Sequence, residues 1–342
     1  MKTKAAVFYG PGRIKIEDRD VSPPSGEEAI IKVKYVGICG SDVSVFYNEY
    51  GHSVPTPMIM GHEFSGEIKE IDESNYKKLR VGDRVVVETI FSCGDCLLCK
   101  KGKQNLCKKR KRFGRFIDGA LVELIKIPTR QIYKIPPSVK LDEAAMNEPL
   151  SVALHAVRRA EIEFGNSVAI VGAGAIGILI GQLAKIAGAF PIFIIDKNLH
   201  RLSVASKYGM RTINNDKESY ISIIEKETKG KGVNVIFDAA GALQIFSHLY
   251  EISAAGVKIV IVSIFREPAT IDLYQTLLRE ATLTTSRLFT PEDFEVALKM
   301  IAEKKVDVSS LITHKVDFDH IEKGMEIMHK AENALRVLVS VE

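Results

Sequence analysis

The sequence predicts an α/β protein of two domains, a β-rich domain followed by a doubly wound parallel sheet. Three observations carry this. A glycine turn, GAGAIG, separates a strand-like apolar run, SVAIV, from a long apolar helical stretch. Three more apolar runs follow: PIFIID, VNVIFDAAG (233–241) and VKIVIVSIF (257–265). Unbroken runs of this kind suit strands buried on both faces of a parallel sheet. Residues 1–150, by contrast, hold short Val/Ile-rich pieces punctuated by Gly and Pro, the pattern of a β-rich domain.

In chain order, AIIKVKYVGIC, RVVVE and LVELIKIP are strand candidates of the first domain, residues 1–150. A cysteine-rich lobe interrupts it at about 91–112. The parallel sheet occupies 151–288, with SHLYEISAAG as a helix candidate between two of its strands. PEDFEVALKMIAEKKV is an amphipathic helix capped by Thr290, with Pro291 at its first position. The closing ALRVLVSV is strand-like, and the segment 289–342 is expected to return to the first domain.

At 342 residues the chain is long enough for about two domains of roughly 150 residues and a large core. The opening MKTKAAVFYG shows no apolar segment or cleavage site of a signal peptide. No apolar run approaches the ~18 residues of a membrane span. A reducing, cytoplasmic setting is therefore expected, where clustered cysteines usually mean metal.

Four of the five cysteines fall in CGDCLLCKKGKQNLC, at Cys93, Cys96, Cys99 and Cys107. A disulfide framework suits small secreted chains instead, and a redox pair needs only two thiols. Four thiolates close the tetrahedral shell of zinc and leave no open position, so this site reads as structural. Nine Lys and Arg lie between Lys100 and Arg115. Such charge could serve nucleic acid, but the whole chain is only +4. Phe113 and Phe116 close the basic run rather than interleaving it as a stacking platform. A solvated face is the favoured reading.

Cys39 stands apart, in VGICGSDVSVF. His62 and Glu63 follow in MIMGHEFSGEI, and Glu148 in AAMNEPLSVALHAV. Together they form a thiolate, imidazole and carboxylate set of the kind that leaves a catalytic zinc room for a labile ligand. The neighbouring Gly37, Gly40, Gly61 and Gly66 fit turns that bring backbone close to a metal or ligand.

The glycine turn places Gly172, Gly174 and Gly177 between strand and helix. In that context G-x-G-x-x-G is a strong dinucleotide signal, because glycines let the backbone approach a pyrophosphate at the helix N-terminus. Asp196, at the end of the next strand, is placed to accept from the ribose 2′-OH. It would repel a 2′-phosphate, so NAD is expected over NADP.

GICGSD, GHEFSGE, the cysteine lobe, EPLSVALHAV, GAGAIG and DKNLHR, in this order, resemble the zinc-containing medium-chain alcohol dehydrogenases over essentially the whole chain. The glutamate at the late zinc-site position resembles the polyol (sorbitol-like) and butanediol branch. The resemblance implies a GroES-like catalytic domain, a Rossmann domain and a cleft between them for zinc and nicotinamide. It implies two zincs per chain, one structural and one catalytic, NAD, and a homo-oligomer, a tetramer before a dimer. It also implies oxidation of a secondary alcohol in a polyol or diol, the metal polarising the oxygen. Cys39, His62 and Glu63 become zinc ligands, and Glu148 a fourth ligand or a base holding the zinc-bound water. Ser41 takes the alcohol proton, and Asp42 orients the ligand histidine. The expected cofactor contacts are Gly172, Gly174, Ile176, Gly177, Asp196 and Arg201, then Val262, Ser263 and Ile264, with Arg287 and Arg336.

The chain also departs from the family pattern. Ser44 replaces a histidine that passes the proton outward in many relatives, and His52 is out of register with it. Gly40 replaces the arginine that follows the first zinc cysteine in liver-type enzymes, with Arg336 a substitute for the pyrophosphate contact. The Arg–Tyr pair of polyol dehydrogenases is not intact in SRLFTPEDF, where Arg287 is instead a candidate partner for a substrate carboxylate. A sugar-acid (hexonate) or threonine dehydrogenase is therefore the alternative. A zinc-free reductase and a zinc-stabilised nucleic-acid binder are the remote ones.

Overall fold

The structure, a computed structural model, describes residues 1–49, 54–72, 79–265 and 267–341. Two compact units divide the chain, Met1–Pro149 with Thr290–Glu342, and Leu150–Phe289. His52 lies outside the described residues.

The first unit opens with β1 (Lys2–Gly10), β2 (Arg13–Asp20), β3 (Glu28–Gly37), α1 (Gly40–Phe46), β4 (Met58–Ile59), β5 (Glu63–Ile71), β6 (Arg84–Val87) and β7 (Ile90–Phe91). It continues through α2 (Leu97–Lys100), β8 (Lys111–Arg112), β9 (Leu124–Pro128), β10 (Ile132–Lys134) and α3 (Leu141–Ala144). Helix α4 (Asn147–Ala160) leads into the second unit. There the chain runs β11 (Val168–Val171), α5 (Ala175–Ile186), β12 (Ile192–Asp196), α6 (Leu199–Ser206), β13 (Arg211–Asn214) and α7 (Tyr220–Glu227). Then come β14 (Val233–Asp238), α8 (Leu243–Phe246), β15 (Ser253–Ile261), α9 (Leu273–Leu278) and β16 (Thr282–Thr285). The return segment supplies α10 (Pro291–Ala302), β17 (Ile312–Asp317), α11 (Ile321–Lys330) and β18 (Arg336–Ser340).

The first unit is built on a seven-stranded sheet ordered β10-β6-β5-β3-β18-β17, with β9 also on β3. Its centre is β3, whose Ile30, Ile31, Val33 and Val36 are fully buried. Strand β18 pairs antiparallel to β3, with Leu338 opposite Gly37, so the return segment completes the sheet. Strand β5 lies on the other side of β3 and sets Glu63 opposite Gly37. A Cβ at Gly37 would overlap the Glu63 carboxylate. This glycine is thus needed for side-chain room rather than for a turn.

The second unit is a six-stranded parallel sheet ordered β13-β12-β11-β14-β15-β16. The order reverses beside β11, and ligand crevices form at such a switch point. Register aligns the strand ends there: Val171 faces Asp238 and Ile195, and Asp238 faces Ile261. Phe193 and Phe237 are completely buried, as strands covered on both faces require. The stretch expected as the helix SHLYEISAAG is a 3-10 turn at Leu249–Ile252 and then the start of β15. Gly256 has a φ of +72°, which ends any helical path, and the helix before β15 is the shorter α8.

Candidate functional site

The candidate metal cluster is assembled from two stretches of the first unit. Cys39 caps α1, and Asp42 in its first turn accepts from the Cys39 N–H at 3.1 Å. Glu63 opens β5, His62 directly precedes it, and each is 1% exposed. Ligand atoms of Cys39, His62 and Glu63 all lie within 4.8 Å of one another. Gly61, with φ +87°, makes the turn that delivers His62. Asp42 Oδ1 lies 3.5 Å from His62 Nδ1, and that nitrogen is buried without a hydrogen-bond partner. Burial opposes charge on His62, but the Asp42 carboxylate outweighs it and holds the imidazole pKa well above its usual value. The donors suit zinc, with a soft thiolate, an imidazole and a carboxylate on one side. The Ser41 Oγ, two residues from the thiolate, is buried and unpaired.

Glu148, in the first turn of α4, is outside that compact ligand set. Burial first, then the Glu63 charge, pushes its pKa up to about 7. It behaves as a carboxyl beside the ligands.

Arg336 departs from expectation. It is 4% exposed, and its Nη1 donates to both Glu63 oxygens at 2.9 Å and to the Ile38 carbonyl at 3.2 Å. The guanidinium expected at a pyrophosphate is engaged as the counter-ion of Glu63. No local pattern reports this pairing, because the partners are 273 positions apart. Ser44 is engaged too, its hydroxyl donating to the Gly40 carbonyl at 3.0 Å.

The cysteine lobe forms a second, separate cluster. Its sulfurs stand 3.5 Å (Cys96–Cys99), 3.6 Å (Cys93–Cys107) and 3.9 Å (Cys93–Cys99) apart, and all five cysteines are free thiols. Four sulfurs around a zinc at ~2.3 Å would be separated by roughly 3.8 Å, so the group fits. Backbone N–H groups of Cys96 and Asp95 lower the Cys93 thiol to about 6, while burial raises Cys99 to about 11.

The second unit carries the dinucleotide features. Gly172 has a φ of +100°, and a Cβ at Gly177 would overlap the Gly172 carbonyl. A Cβ at Gly174 would meet no protein atom within 4 Å. That open face at the N-cap of α5 suits the close approach of a pyrophosphate. Ile176, in the first turn of α5, is half-buried. Asp196 is fixed beside the turn, its oxygens accepting from Ala173 N–H at 2.7 Å and Asn198 N–H at 2.8 Å. Arg201 follows in α6, with a buried, unpaired Nε. After β15, Val262 and Ser263 donate backbone N–H bonds to the Asp238 carbonyl, and the Ser263 hydroxyl donates to its carboxylate at 2.5 Å. Ile264 is 66% exposed. Arg287 is exposed on the segment after β16, in this second unit.

A cavity of about 830 Å³ in the first unit is lined by Asp18, Arg19, Phe91, Phe113 and Lys126, among others, and by none of the metal-cluster residues.

Comparison with known proteins points one way. Residues 25–137 match the alcohol dehydrogenase GroES-like domain, and residues 175–303 the zinc-binding dehydrogenase family. The chain is 33% identical to D-arabitol-phosphate dehydrogenase of Enterococcus avium over 338 residues, 95% of this chain and 96% of that one. It is 31% identical to sorbitol dehydrogenase of Halalkalibacterium halodurans over 344 residues, 99% of each. Among solved structures, a short chain alcohol dehydrogenase of E. coli CFT073 complexed with NADH superposes with a TM-score of 0.91. It is 29% identical, with 99% of each chain covered.

Proposed function

Since this chain belongs to the zinc-containing medium-chain alcohol dehydrogenases, in their polyol branch, we propose that it oxidises a secondary alcohol of a polyol or diol at the Cys39–His62–Glu63 cluster. It is an oxidoreductase of a family that uses zinc and NAD(P). The observation carrying the site assignment is the buried three-ligand set with an unpaired Ser41 hydroxyl two residues from its thiolate.

When bound, zinc supplies Lewis-acid polarisation of the alcohol and the nicotinamide accepts hydride. Cys39, His62 and Glu63 hold the metal, and Arg336 fixes the Glu63 carboxylate. Asp42 sets the ring plane of His62. Ser41 Oγ takes the alcohol proton, and because Ser44 is tied to its own helix the proton leaves through Ser41 and solvent. Glu148 lies beside the ligands, where burial and the Glu63 charge raise its pKa in the metal-free protein. Asp196 favours NAD, since a carboxylate fixed beside the glycine turn accepts from a ribose hydroxyl and repels a phosphate. The second cluster, Cys93, Cys96, Cys99 and Cys107, is structural.

The partner is a small molecule, and the assembly we favour is a homo-oligomer. Strand β16 is an open edge with no charged residue. Beside it in sequence, α9 exposes Leu273, Tyr274, Leu277 and Leu278 by 58–76%. An unguarded edge beside so apolar a helix calls for a cover, and a second copy meeting it about a two-fold axis supplies one. The free thiols support a reducing, cytoplasmic compartment. No described helix is long and apolar enough to cross a membrane.

The test is metal content with turnover. Purified protein should hold two zincs per chain and oxidise members of a polyol and diol panel faster with NAD than with NADP. Cys39→Ser should lose one zinc and activity while keeping its thermal transition. A two-zinc protein inactive across the panel ends the reading.

A further inference from the structure

Nine basic residues run from Lys100 to Arg115 and read as a solvated face. Arg112 departs from that description. It sits in β8 opposite Ile90, and the next residue, Phe113, donates its N–H to the Thr89 carbonyl at 3.3 Å. From there the chain runs onto the metal cluster. The Phe113 ring packs edge-on to Phe64, centroids 6.1 Å apart, and Phe64 directly follows Glu63. A Cβ at Gly114 would come within 2.8 Å of the nitrogen of Gly61, the residue before His62.

Arg112 is half-buried, unlike the exposed Lys111 before it. Its guanidinium makes no ion pair or side-chain hydrogen bond among the described residues. Its charge nevertheless reaches three members of the cluster, favouring the ionised carboxylates of Asp42 and Glu148 and opposing a proton on His62. Two guanidiniums therefore serve this site. Arg336 is buried and turns its Nη1 to Glu63, whereas Arg112 is half-buried and keeps its donors.

We infer that Arg112 is an oxyanion subsite beside the metal cluster, selecting alcohols that carry a phosphate ester or a carboxylate elsewhere on the chain. A guanidinium offers five N–H donors in a planar fork matched to either group. Partial burial strengthens that pairing, since water competes less for both partners. The inference rests on the dehydrogenase reading above and narrows its substrate class.

The test compares kcat/KM with NAD for arabitol, an arabitol phosphate and arabinonate, in the wild type, Arg112→Leu and Arg112→Lys. A charge-assisted bond is worth about 1.5–3 kcal/mol, roughly ten- to a hundredfold. The wild type should prefer one anionic form over arabitol by that factor. Arg112→Leu should lose at least tenfold more on that form than on arabitol, mainly in KM, and Arg112→Lys should recover part of it. The more affected substrate tells phosphate from carboxylate. Binding of inorganic phosphate and of acetate, measured by calorimetry on zinc-loaded protein, gives a readout without turnover. One of the two should bind the wild type and not Arg112→Leu. Equal losses on all three substrates, or equal anion binding by both proteins, would make Arg112 only a counter-charge for Asp42 and Glu148 and overturn the inference. Turnover of arabitol with no anion preference overturns it while leaving the dehydrogenase reading intact. Absence of turnover on all three, with anion binding that depends on Arg112, sinks the polyol reading alone.

Discussion

Glu148 shows what a single buried residue contributes. Its ordinary pKa is 4.5, and burial together with the Glu63 charge raises it to about 7 in the folded chain. The folded state thus keeps a proton that the unfolded state gives up. The associated stability is fully present below about pH 4.5 and is lost as pH rises through about 7. In metal-stripped protein the slope from this group should approach at most about 1.4 kcal/mol per pH unit. Glu148→Gln should flatten the curve between pH 5 and 7, as followed by urea unfolding. An unchanged slope would mean that Glu148 ionises in the fold as easily as in water. His62 works in the same direction, because its folded pKa is also raised. Its proton competes with metal, which needs the neutral ring.

Among the elements, β16 and α9 make the clearest prediction. At the opposite edge of the same sheet, Arg211 of β13 pairs with Glu227 at 2.7 Å, and charge of that kind guards an edge. β16 has no such guard. Leu277→Lys with Leu278→Lys should shift the particle towards monomer in sedimentation, with secondary structure unchanged by circular dichroism. An unaltered particle size would assign these leucines another role. Legibility in the sequence also sorts by element. The glycine turn and β11, β12 and β14 were visible because strand burial and turn chemistry are encoded within a dozen neighbouring residues. The boundary of β15 was not, since SAAG is compatible with a helix until the sheet pairs it. Within the metal cluster, residue types and nearest neighbours named Cys39, His62 and Glu63. The partner of Glu63 and the distinct position of Arg112 depend on register between distant strands, which no local pattern reports. The sequence shows a glycine at 37, but its reason, room for a carboxylate across the β3–β5 pair, exists only in the sheet.

The whole molecule is a chain that leaves its first unit at residue 149 and comes back at 290. Arg336→Leu in the full-length protein should keep the zinc of the cysteine cluster and release the other on dialysis, because Glu63 loses the partner that orients its carboxylate. Retention of both zincs would show that Glu63 needs no such support. The returning strand also gives the molecule a clock. Glu63 leaves the ribosome 273 residues before the guanidinium that neutralises it. At roughly 5–20 residues per second, that interval is tens of seconds. Throughout it, β3 lacks its neighbour β18, and the carboxylate must stay hydrated rather than close into the sheet. The thiolate, imidazole and carboxylate are therefore on offer to a metal from an open edge while the rest of the chain is still being made. Insertion of β18 shuts that edge and brings Arg336 to Glu63.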